Sequence, residues 1–272
     1  MPNILDIKKE ISELQSMYAN SVTTRFIRML QFGDYKSGKT SALETCPRPI
    51  HVDSWDPGGS KVLKKGITEG WIVCDSQWEN EDPADPKMFE KFDTIFRARK
   101  AAGYFDYFAT YALDSITTFS QAVMNYTLKR RKRIDNIPVS GKGGDNDYVA
   151  MQAKLGPVLR TFLNLPCHVI LCAHPDINED DFGKRFVGPM ISGKLRTELP
   201  IMLDEIYYLK VQETKDGLVR KYLTQPDGIF RCGSRLAKEG KIDTWENINI
   251  KEIIKKGGYA WEDKEIPWMK QS

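Results

Sequence analysis

One eight-residue segment constrains the fold of this chain more than any other part of its sequence. Residues 33–40 read Gly-Asp-Tyr-Lys-Ser-Gly-Lys-Thr and match the G-x-x-x-x-G-K-[ST] pattern of a phosphate-binding loop at every fixed position. The segment follows a predicted strand at 25–32 and precedes a predicted helix, which is the context that this motif requires. The sequence therefore predicts an α/β domain with a nucleotide site at the carboxyl end of its first strand.

The residue types in this loop suit the binding of a nucleoside triphosphate. Successive backbone N–H groups can point at phosphate oxygens, and glycine permits so tight a turn. Lys39 would bring its charge to the β- and γ-phosphates, and the Thr40 hydroxyl can bind Mg²⁺. We therefore expect ATP and Mg²⁺ as ligands. The predicted nucleotide-binding residues are Gly33, Asp34, Tyr35, Lys36, Ser37, Gly38, Lys39, Thr40 and Ser41.

An acidic residue at the end of another predicted strand supports this interpretation. The apolar run 107–113 is typical of a strand buried on both faces, and Asp114 follows it directly. Ligands of open α/β sheets bind at such strand ends. Asp114 is therefore expected to hold Mg²⁺ through water, together with Thr40.

Hydrolysis also needs a group that positions or deprotonates water. Asp56, just beyond the predicted strand 49–53, is the first candidate, and Asp53 is the second; the alternative is that both only cap a turn. His174 ends the predicted strand 167–173 and could sense the γ-phosphate. The alternative is a strand-end histidine without such a role.

The composition favours a folded, soluble protein. Of the 272 residues, 41% are hydrophobic, which is enough for a core and excludes disorder over most of the chain. No run of 18 apolar residues occurs and the N-terminus lacks an apolar leader, so we expect a cytoplasmic protein that does not associate with membranes. The five cysteines form no CxxC pair, which favours free thiols. A net charge of +3 neither requires nor excludes nucleic acid.

Alternating strand and helix patterns predict a mainly parallel sheet flanked by helices. Besides the strands already named, the pattern predicts a strand at 70–74 and helices at 87–102, 116–129, 147–165 and 193–202. Strands at 206–212 and 219–225, joined at Lys215-Asp216-Gly217, predict an antiparallel hairpin at one edge of the sheet. Polar loops are predicted at 133–147 and 174–192.

The chain divides into three predicted parts, an N-terminal helical extension at 1–23, a core at 24–235 and a C-terminal extension at 236–272. Steps of three and four place the apolar residues of the first part on one helix face. These residues are Ile4, Ile7, Ile11, Leu14, Met17 and Tyr18. We expect this face to pack on its own domain, and the alternative is docking on a neighbouring subunit.

The order of these parts resembles the RecA-like P-loop NTPase core over about residues 25–235. More narrowly, the chain is similar to phage-encoded AAA-type nucleotide-binding proteins, a family linked to single-strand annealing and recombination. Spaced residues carry this second resemblance, namely His174, Gly188-Pro189, Gly193-Lys194, Leu199-Pro200 and Asp204-Glu205. One position departs from many RecA-like enzymes, because Trp55 stands where they carry a glutamate. Slow turnover is therefore an open alternative.

The resemblance implies a DNA channel lined by the loops at about 133–147 and 175–192. Basic residues suit a phosphate backbone, and Phe186 could stack on a base or wedge beside it. The predicted DNA-binding residues are Arg131, Lys132, Arg133, Lys142, Lys184, Arg185 and Phe186. The alternative for the basic run 129–133 is a solvated helix end. Acidic residues in both loops argue against a uniformly basic groove.

The resemblance also implies a homo-oligomer, a filament or a ring, with ATP at the subunit interfaces. Arg231 and Arg235 match the place of basic residues that reach a neighbour's γ-phosphate, and the alternative is a pair of surface arginines. The expected protein is an ATPase that binds single-stranded DNA in recombination or annealing within the phage-infected cell, beside a single-strand-binding protein. The alternatives are a ring-forming helicase and an ATP-gated DNA-binding or scaffold protein with little hydrolysis. A nucleoside kinase fits less well, because it has no use for the hairpin and the two loops.

Overall fold

The computed structural model describes residues 4–133, 137–142, 145–180, 182–215 and 217–268. Parts of the predicted loop 133–147, residue 181, residue 216 of the predicted turn, and both chain ends lie outside the described residues. The α-helices are α1 (Ile4–Ala19), α2 (Val22–Arg25), α3 (Lys39–Ala42), α4 (Lys64–Thr68), α5 (Met88–Ala101), α6 (Ile116–Arg130), α7 (Asp147–Leu163), α8 (Leu195–Ile201), α9 (Arg235–Lys238) and α10 (Ile250–Gly257). The strands are β1 (Arg28–Phe32), β2 (Ile50–Ser54), β3 (Ile72–Asp75), β4 (Thr110–Asp114), β5 (His168–Ala173), β6 (Pro175–Glu179), β7 (Arg185–Pro189), β8 (Glu205–Thr214), β9 (Gly217–Leu223), β10 (Gly233–Ser234) and β11 (Trp245–Asn247).

The main sheet has the strand order β11-β9-β8-β1-β5-β4-β2-β3, and β10 pairs with β8. The six strands from β8 to β3 run parallel, whereas β9, β10 and β11 join antiparallel. The predicted fold class is confirmed, since the sheet is mainly parallel and the β8–β9 hairpin lies toward one edge. The central position of β1 places residues 33–40 at the middle of the carboxyl edge.

Two cores cover the faces of the sheet. Alternation along β1 sends Leu30 and Phe32 into the core beneath α5, α6 and α7, and Met29 into the core on the other face. The first core is rich in stacked and edge-on aromatic rings, including the pair Phe96 and Phe162 at 4.8 Å between ring centroids. Burial on both faces explains why the central strands read as continuous apolar runs.

The predicted polar loop after β5 is instead a two-stranded hairpin. Strands β6 and β7 pair antiparallel over 175–189, apart from the main sheet. The sequence pattern did not predict this hairpin, because the hairpin buries little apolar surface. Asn178 is the one buried residue of β6. Main-chain hydrogen bonds rather than a hydrophobic face therefore hold the hairpin.

The C-terminal extension completes the main sheet and the second core. Strand β11 pairs with β9 at the edge, and Ile250, Ile253 and Ile254 of α10 are buried. The extension thus folds onto the core of its own chain. Among the helices in the described ranges, none combines the length and apolarity needed to span a membrane.

The apolar face of α1 is exposed in the structure. Exposure rises from 40% at Ile7 to 73% at Tyr18. The expectation that this face packs on its own domain is therefore wrong. The helix α1 stands away from the sheet, and of the described elements the short helix α2 is the one that packs substantially against it. Docking on a neighbouring subunit stays a prediction.

A buried arginine connects β1 to the turn between α7 and β5. Arg28 donates hydrogen bonds to the carbonyl oxygens of Leu163 at 2.6 Å, Leu165 at 2.8 Å and Cys167 at 2.6 Å. Burial lowers the pKa of Arg28, although the charge of Asp204 acts in the other direction. The guanidinium satisfies carbonyl groups that the end of α7 would otherwise leave unpaired.

Candidate nucleotide-binding site

The glycines of the phosphate-binding loop are required by the local geometry. At Gly33, an added Cβ would lie 2.7 Å from the carbonyl oxygen of Leu209 on β8. At Gly38, which precedes α3, φ is +108°, a conformation that residues with a side chain rarely adopt. The two fixed glycines of the motif therefore let the loop lie against β8 and turn into the helix.

Lys39 spans the loop from within. Its Nζ donates to the carbonyl oxygens of Gly33 at 2.7 Å and Asp34 at 2.9 Å, and the residue is only 6% exposed. Burial lowers the pKa of Lys39, and the charges of Cys172 and Asp114 oppose that shift. The ammonium group lies where the motif places it for contact with phosphate.

Thr40 and Asp114 meet at the carboxyl ends of β1 and β4. The Thr40 hydroxyl donates to Oδ2 of Asp114 at 2.6 Å. The other carboxylate oxygen, Oδ1, is buried and accepts no well-formed hydrogen bond from the described residues, although the Cys172 thiol lies beside the carboxylate and lowers its pKa. Burial and the neighbouring charge of Asp56 raise the pKa of Asp114, although the bond from Thr40 lowers it. A hydroxyl beside an unsatisfied carboxylate oxygen fits the oxygen ligands that Mg²⁺ prefers.

Asp56 lies beside this pair and accepts several hydrogen bonds. Ser115 Oγ donates to its Oδ1 at 2.7 Å, Thr118 Oγ1 donates to the same oxygen, and His174 Nε2 lies 3.0 Å from Oδ2. Burial alone would raise the pKa of Asp56, but the hydrogen bonds from His174, Thr118 and Ser115 outweigh burial and leave the pKa lowered. Asp56 is therefore held as a carboxylate near Asp114.

His174 connects this carboxylate to the β6–β7 hairpin. It immediately precedes β6, and its backbone carbonyl accepts a hydrogen bond from the backbone N–H of Met190, just after β7, at 2.7 Å. Its backbone N–H donates to Thr117 Oγ1 at 3.0 Å, and that hydroxyl donates to Met190 O at 3.0 Å. One residue thus contacts the nucleotide site with its side chain and the base of the hairpin with its backbone.

The structure does not bring Asp53 to this site. Asp53 is fully buried, and its side chain lies in the aromatic core beneath α5, α6 and α7. There Tyr111 Oη at 2.8 Å and Trp78 Nε1 at 2.9 Å donate to its carboxylate. Trp55 is also a core residue, since its ring lies 5.7 Å from that of Trp78 and stacks on it. Of the two predicted water-positioning residues, Asp56 alone lies beside the phosphate-binding loop.

Glu79 is a positioning residue that the sequence analysis missed. Its Oε1 accepts hydrogen bonds from Ser54 Oγ at 2.7 Å and Ser60 N at 2.9 Å, and its Oε2 accepts one from Gly58 N at 2.9 Å. These bonds brace the loop that carries Asp56 between β2 and the following 3₁₀ turn. Sequence patterns contain no signal for this contact, because Glu79 follows a different strand.

A second connection between loop and hairpin runs through Tyr208 on β8. Its hydroxyl donates to Oδ2 of Asp34 at 3.0 Å, and its ring stacks on that of Phe230 at 3.9 Å between centroids. The segment around Phe230 bonds in turn to β7, because Arg231 N donates to Val187 O at 2.8 Å.

The predicted DNA-binding residues fall into two groups. Arg131 and Arg133 make ion pairs with Asp147, at 3.0 Å and 2.8 Å, and also with Asp145. Asp147 is fully buried at the start of α7. These two arginines therefore hold the predicted first loop against α7 and neutralise the charges of Asp145 and Asp147. A structural role is enough to explain why arginine stands at both positions. Lys132 and Lys142 are exposed.

At the tip of the β6–β7 hairpin, Phe182 is 95% exposed. Asp180 holds the turn by accepting hydrogen bonds from the backbone N–H groups of Phe182 and Lys184, both at 3.0 Å. Lys184 and Arg185 are exposed, and their contact with DNA stays a prediction. Phe186, by contrast, is partly buried beneath the Arg231 guanidinium, 4.0 Å from its ring centroid. Phe182 is therefore the accessible aromatic residue of the hairpin. Its place beside the turn residues Asp180 and Gly183 was the sequence signal that could have identified it.

The two candidate arginines lie away from the phosphate-binding loop of their own chain. Arg231 covers Phe186 and lies 3.9 Å from Asp180. Arg235 Nη1 donates to Oδ1 of Asp204 at 2.8 Å, at the amino end of β8 and thus at the opposite edge of the sheet. A role at the nucleotide of a neighbouring subunit stays a prediction.

A phosphate-binding loop after β1, an acid at the end of β4, and a parallel core in which β1 lies between β8 and β5 define a P-loop NTPase. The chain belongs to the AAA domain family, whose model matches residues 25–236. Comparison with curated protein sequences gives no match. Among solved structures, a KaiC-like protein from the hyperthermophilic archaeon Pyrococcus horikoshii OT3 is similar, with a TM-score of 0.40 and 15% identity, covering 73% of this chain and 78% of that one.

Proposed function

We propose that this ATPase binds single-stranded DNA in an ATP-dependent manner and promotes annealing or strand exchange during phage recombination. The observation that carries the proposal is the place of the β6–β7 hairpin. Its tip presents Phe182, Lys184 and Arg185 to solvent, and its base is joined to Asp56 through His174. An exposed aromatic ring among cations suits a base and its phosphate.

The chain's own residues would couple ATP to this surface. Backbone N–H groups of 33–40 and Lys39 bind the phosphates, and Asp56 orients water on the γ-phosphate. His174 lies within reach of both Asp56 and the hairpin base, so a γ-phosphate that draws its imidazole away from Asp56 would shift β6. Bound ATP would thereby favour one position of the hairpin, and ADP would favour another.

Mg²⁺ would be held by Thr40 and, through water, by Asp114. When bound, the ion supplies positive charge that offsets the charge of the phosphates. The buried Oδ1 of Asp114, which accepts no well-formed hydrogen bond from the described residues, supports this assignment.

Phosphate release from ATP, with and without single-stranded DNA, tests the proposal. We expect DNA to stimulate release, and Lys39→Ala to abolish both basal and stimulated release. Thermal unfolding of the variant without nucleotide checks that the fold persists. Release that DNA leaves unchanged, together with ATP-independent DNA binding, would refute the coupling.

A second candidate function is an ATP-gated DNA-binding protein with little hydrolysis. It is favoured by Trp55, a core residue where many RecA-like enzymes carry glutamate, and by the hydrogen bonds that lower the pKa of Asp56 and make it a weak base. ATP-dependent DNA binding without phosphate release would select this function. Unwinding of a forked duplex would instead select a helicase motor.

We further propose that the active form is a homo-oligomer with ATP between subunits. The exposed apolar face of α1 supports this, because a helix with one apolar face normally buries it. Arg235 would then act at the nucleotide of the next subunit. Wild-type hydrolysis and assembly in Arg235→Ala would exclude that role.

A further inference from the structure

We propose that Gln31 and Cys172 are positioning residues for the Mg²⁺ site, and that they hold Asp114 and the main chain beside Thr40 in place from within the sheet. The inference rests on the metal-binding part of the proposed function and extends it to two side chains that would contact neither nucleotide nor metal. Both residues are fully buried. Neither belongs to the phosphate-binding motif.

Gln31, Cys172 and Asp114 form one row across three neighbouring strands. Gln31 on β1 pairs in register with Cys172 on β5, and Cys172 pairs in register with Asp114 on β4. Residues paired in this way point to the same face of the sheet. The row two residues earlier on that face is apolar and consists of Met29, Ile170 and Ala112. The side chains of this face therefore change from apolar to polar where the strands reach the candidate site.

The amide of Gln31 is held in one orientation by its neighbours. Its Nε2 donates to the backbone carbonyl oxygen of Lys39 at 3.0 Å, and the Tyr222 hydroxyl donates to its Oε1 at 2.7 Å. A carbonyl oxygen can only accept, so the nitrogen end of the amide must face α3. The helix α3 has four residues, and carbonyl oxygens at the end of a helix lack an intrahelical donor. Gln31 supplies that donor one residue before Thr40.

The Cys172 thiol lies between this amide and the metal site. Nε2 of Gln31 also donates to Sγ of Cys172, at 3.2 Å. Because the sulfur accepts that bond, its own hydrogen is free to point toward the Asp114 carboxylate, which lies beside it. The Thr40 hydroxyl donates to Oδ2 of the same carboxylate. The thiol and the hydroxyl therefore hold the Asp114 carboxylate from two sides.

The direction of these hydrogen bonds points to a role at the metal site. Apolar residues could fill this layer of a parallel sheet without any need for hydrogen bonds, so burying polar groups here is unfavourable for packing alone. The donors instead follow one another from Tyr222 to Gln31 to Cys172, and the series leads to the carboxylate of Asp114. Removing a group that orients a metal ligand commonly weakens metal binding by about 10- to 100-fold.

ATP affinity, measured by calorimetry over a series of Mg²⁺ concentrations, tests the inference on the full chain. We expect Cys172→Ala and Gln31→Met each to raise the half-saturating Mg²⁺ concentration about tenfold, because each removes a donor of the row. Cys172→Ser keeps a donor and an acceptor at that position and should stay within about twofold of the wild type. Without Mg²⁺, both Cys172 variants should bind ATP as the wild type does, because the phosphate-binding loop is intact.

Infrared spectroscopy tests the thiol itself in the absence of metal and nucleotide. The S–H stretching band of Cys172 is isolated as the difference between the wild type and Cys172→Ser, and that of Cys46 as the difference between the wild type and Cys46→Ala. Cys46 lies in the core on the same face of the sheet, with no carboxylate beside it in the described part of the chain. We expect the Cys172 band at the lower frequency, because its S–H bond donates to a carboxylate.

Cys46→Ala is also the matched control for loosening of the core. It should lower the free energy of unfolding and leave the Mg²⁺ requirement unchanged. A wild-type Mg²⁺ requirement in Cys172→Ala and Gln31→Met, an equal rise in Cys46→Ala or in Cys172→Ser, or a Cys172 band no lower than that of Cys46 would overturn the inference alone. A wild type whose ATP affinity does not depend on Mg²⁺ would overturn the proposed metal site as well.

Discussion

The imidazole Nε2 of His174 lies 3.0 Å from Oδ2 of Asp56, so the residue before the β6–β7 hairpin contacts the carboxylate beside the phosphate-binding loop. The two residues are 118 positions apart in sequence. Their contact joins the carboxylate beside the phosphate-binding loop to the residue at the base of a surface hairpin, and the proposed coupling of nucleotide to DNA depends on it. Such a contact can be exchanged for another when a γ-phosphate enters the site.

Removing the contact between His174 and Asp56 should uncouple ATP hydrolysis from DNA binding. In His174→Ala, we expect the ratio of DNA-stimulated to basal ATP hydrolysis to fall to about one, while ATP affinity changes less than about twofold. The control is Thr118→Ala, which also removes a donor to Asp56 but has no bond to the hairpin base. Phosphate-release assays on both variants check this. Full DNA stimulation in His174→Ala would contradict the coupling role.

The exposure of Phe182 predicts that this aromatic, rather than Phe186, contributes to DNA affinity. Phe182→Ala should weaken ATP-dependent binding of a labelled single strand about tenfold, through loss of base stacking. Phe186→Ala should instead lower the free energy of unfolding, because its ring lies beneath Arg231. Fluorescence anisotropy and chemical denaturation separate these outcomes. The reverse pattern would show that the hairpin presents its other aromatic to DNA.

His168 predicts loss of stability in acid. Its Nδ1 accepts a hydrogen bond from Ile27 N at 3.0 Å, its Nε2 lies 2.5 Å from Ala260 O, and burial lowers its pKa from 6.5 to about 4. The folded pKa lies below the unfolded one, so this contribution is present above about pH 6.5 and is lost as the pH falls toward 4. Linkage gives a loss of about 2 kcal/mol between pH 7.5 and pH 5.

Urea denaturation at the two pH values tests this contribution against a variant that cannot titrate. His168→Gln is expected to be less stable than the wild type at pH 7.5. Its further loss at pH 5 should be smaller than that of the wild type by about 2 kcal/mol, because no imidazole has to remain neutral. Equal losses in both proteins would show that other groups cause the acid sensitivity.

The exposed face of α1 predicts self-association. Leu14→Asp, at a position 57% exposed in the single chain, should shift the protein toward monomer in the presence of ATP, because it places a charge in an apolar contact. Light scattering coupled to size-exclusion chromatography measures the change. Ser12→Asp, on the same helix but off the apolar face, is the control. Assembly that survives Leu14→Asp would exclude α1 from the interface.

The parts of the site that follow from local patterns could be predicted. The phosphate-binding loop and Asp114 each belong to a strand and the residues just after it, and the structure places both as expected. The choice between Asp53 and Asp56 could not be made, because it depends on which face of β2 meets the helices. The side chain of Asp53 lies in the aromatic core, whereas Asp56 lies beside Thr40 and Asp114.

Contacts between distant segments escaped prediction for a different reason. Glu79 braces a loop after another strand, and Arg220 reaches Ser37 across 183 positions. Neither residue lies in a motif, and its role arises from the order of strands in the sheet. The β6–β7 hairpin was also missed, since its main-chain bonds leave no hydrophobic period in the sequence.

The position of β1 has a consequence for the order in which this protein matures. Its neighbours in the sheet are β5 and β8, and the Arg28 side chain bonds to carbonyl oxygens 135 to 139 residues further along the chain. On the ribosome, the phosphate-binding motif is synthesised early, but nothing holds it in shape until those later strands emerge. A nascent polypeptide ending before β5 would carry the whole motif and yet lack a nucleotide site. We therefore expect nucleotide binding only in chains that extend through β8.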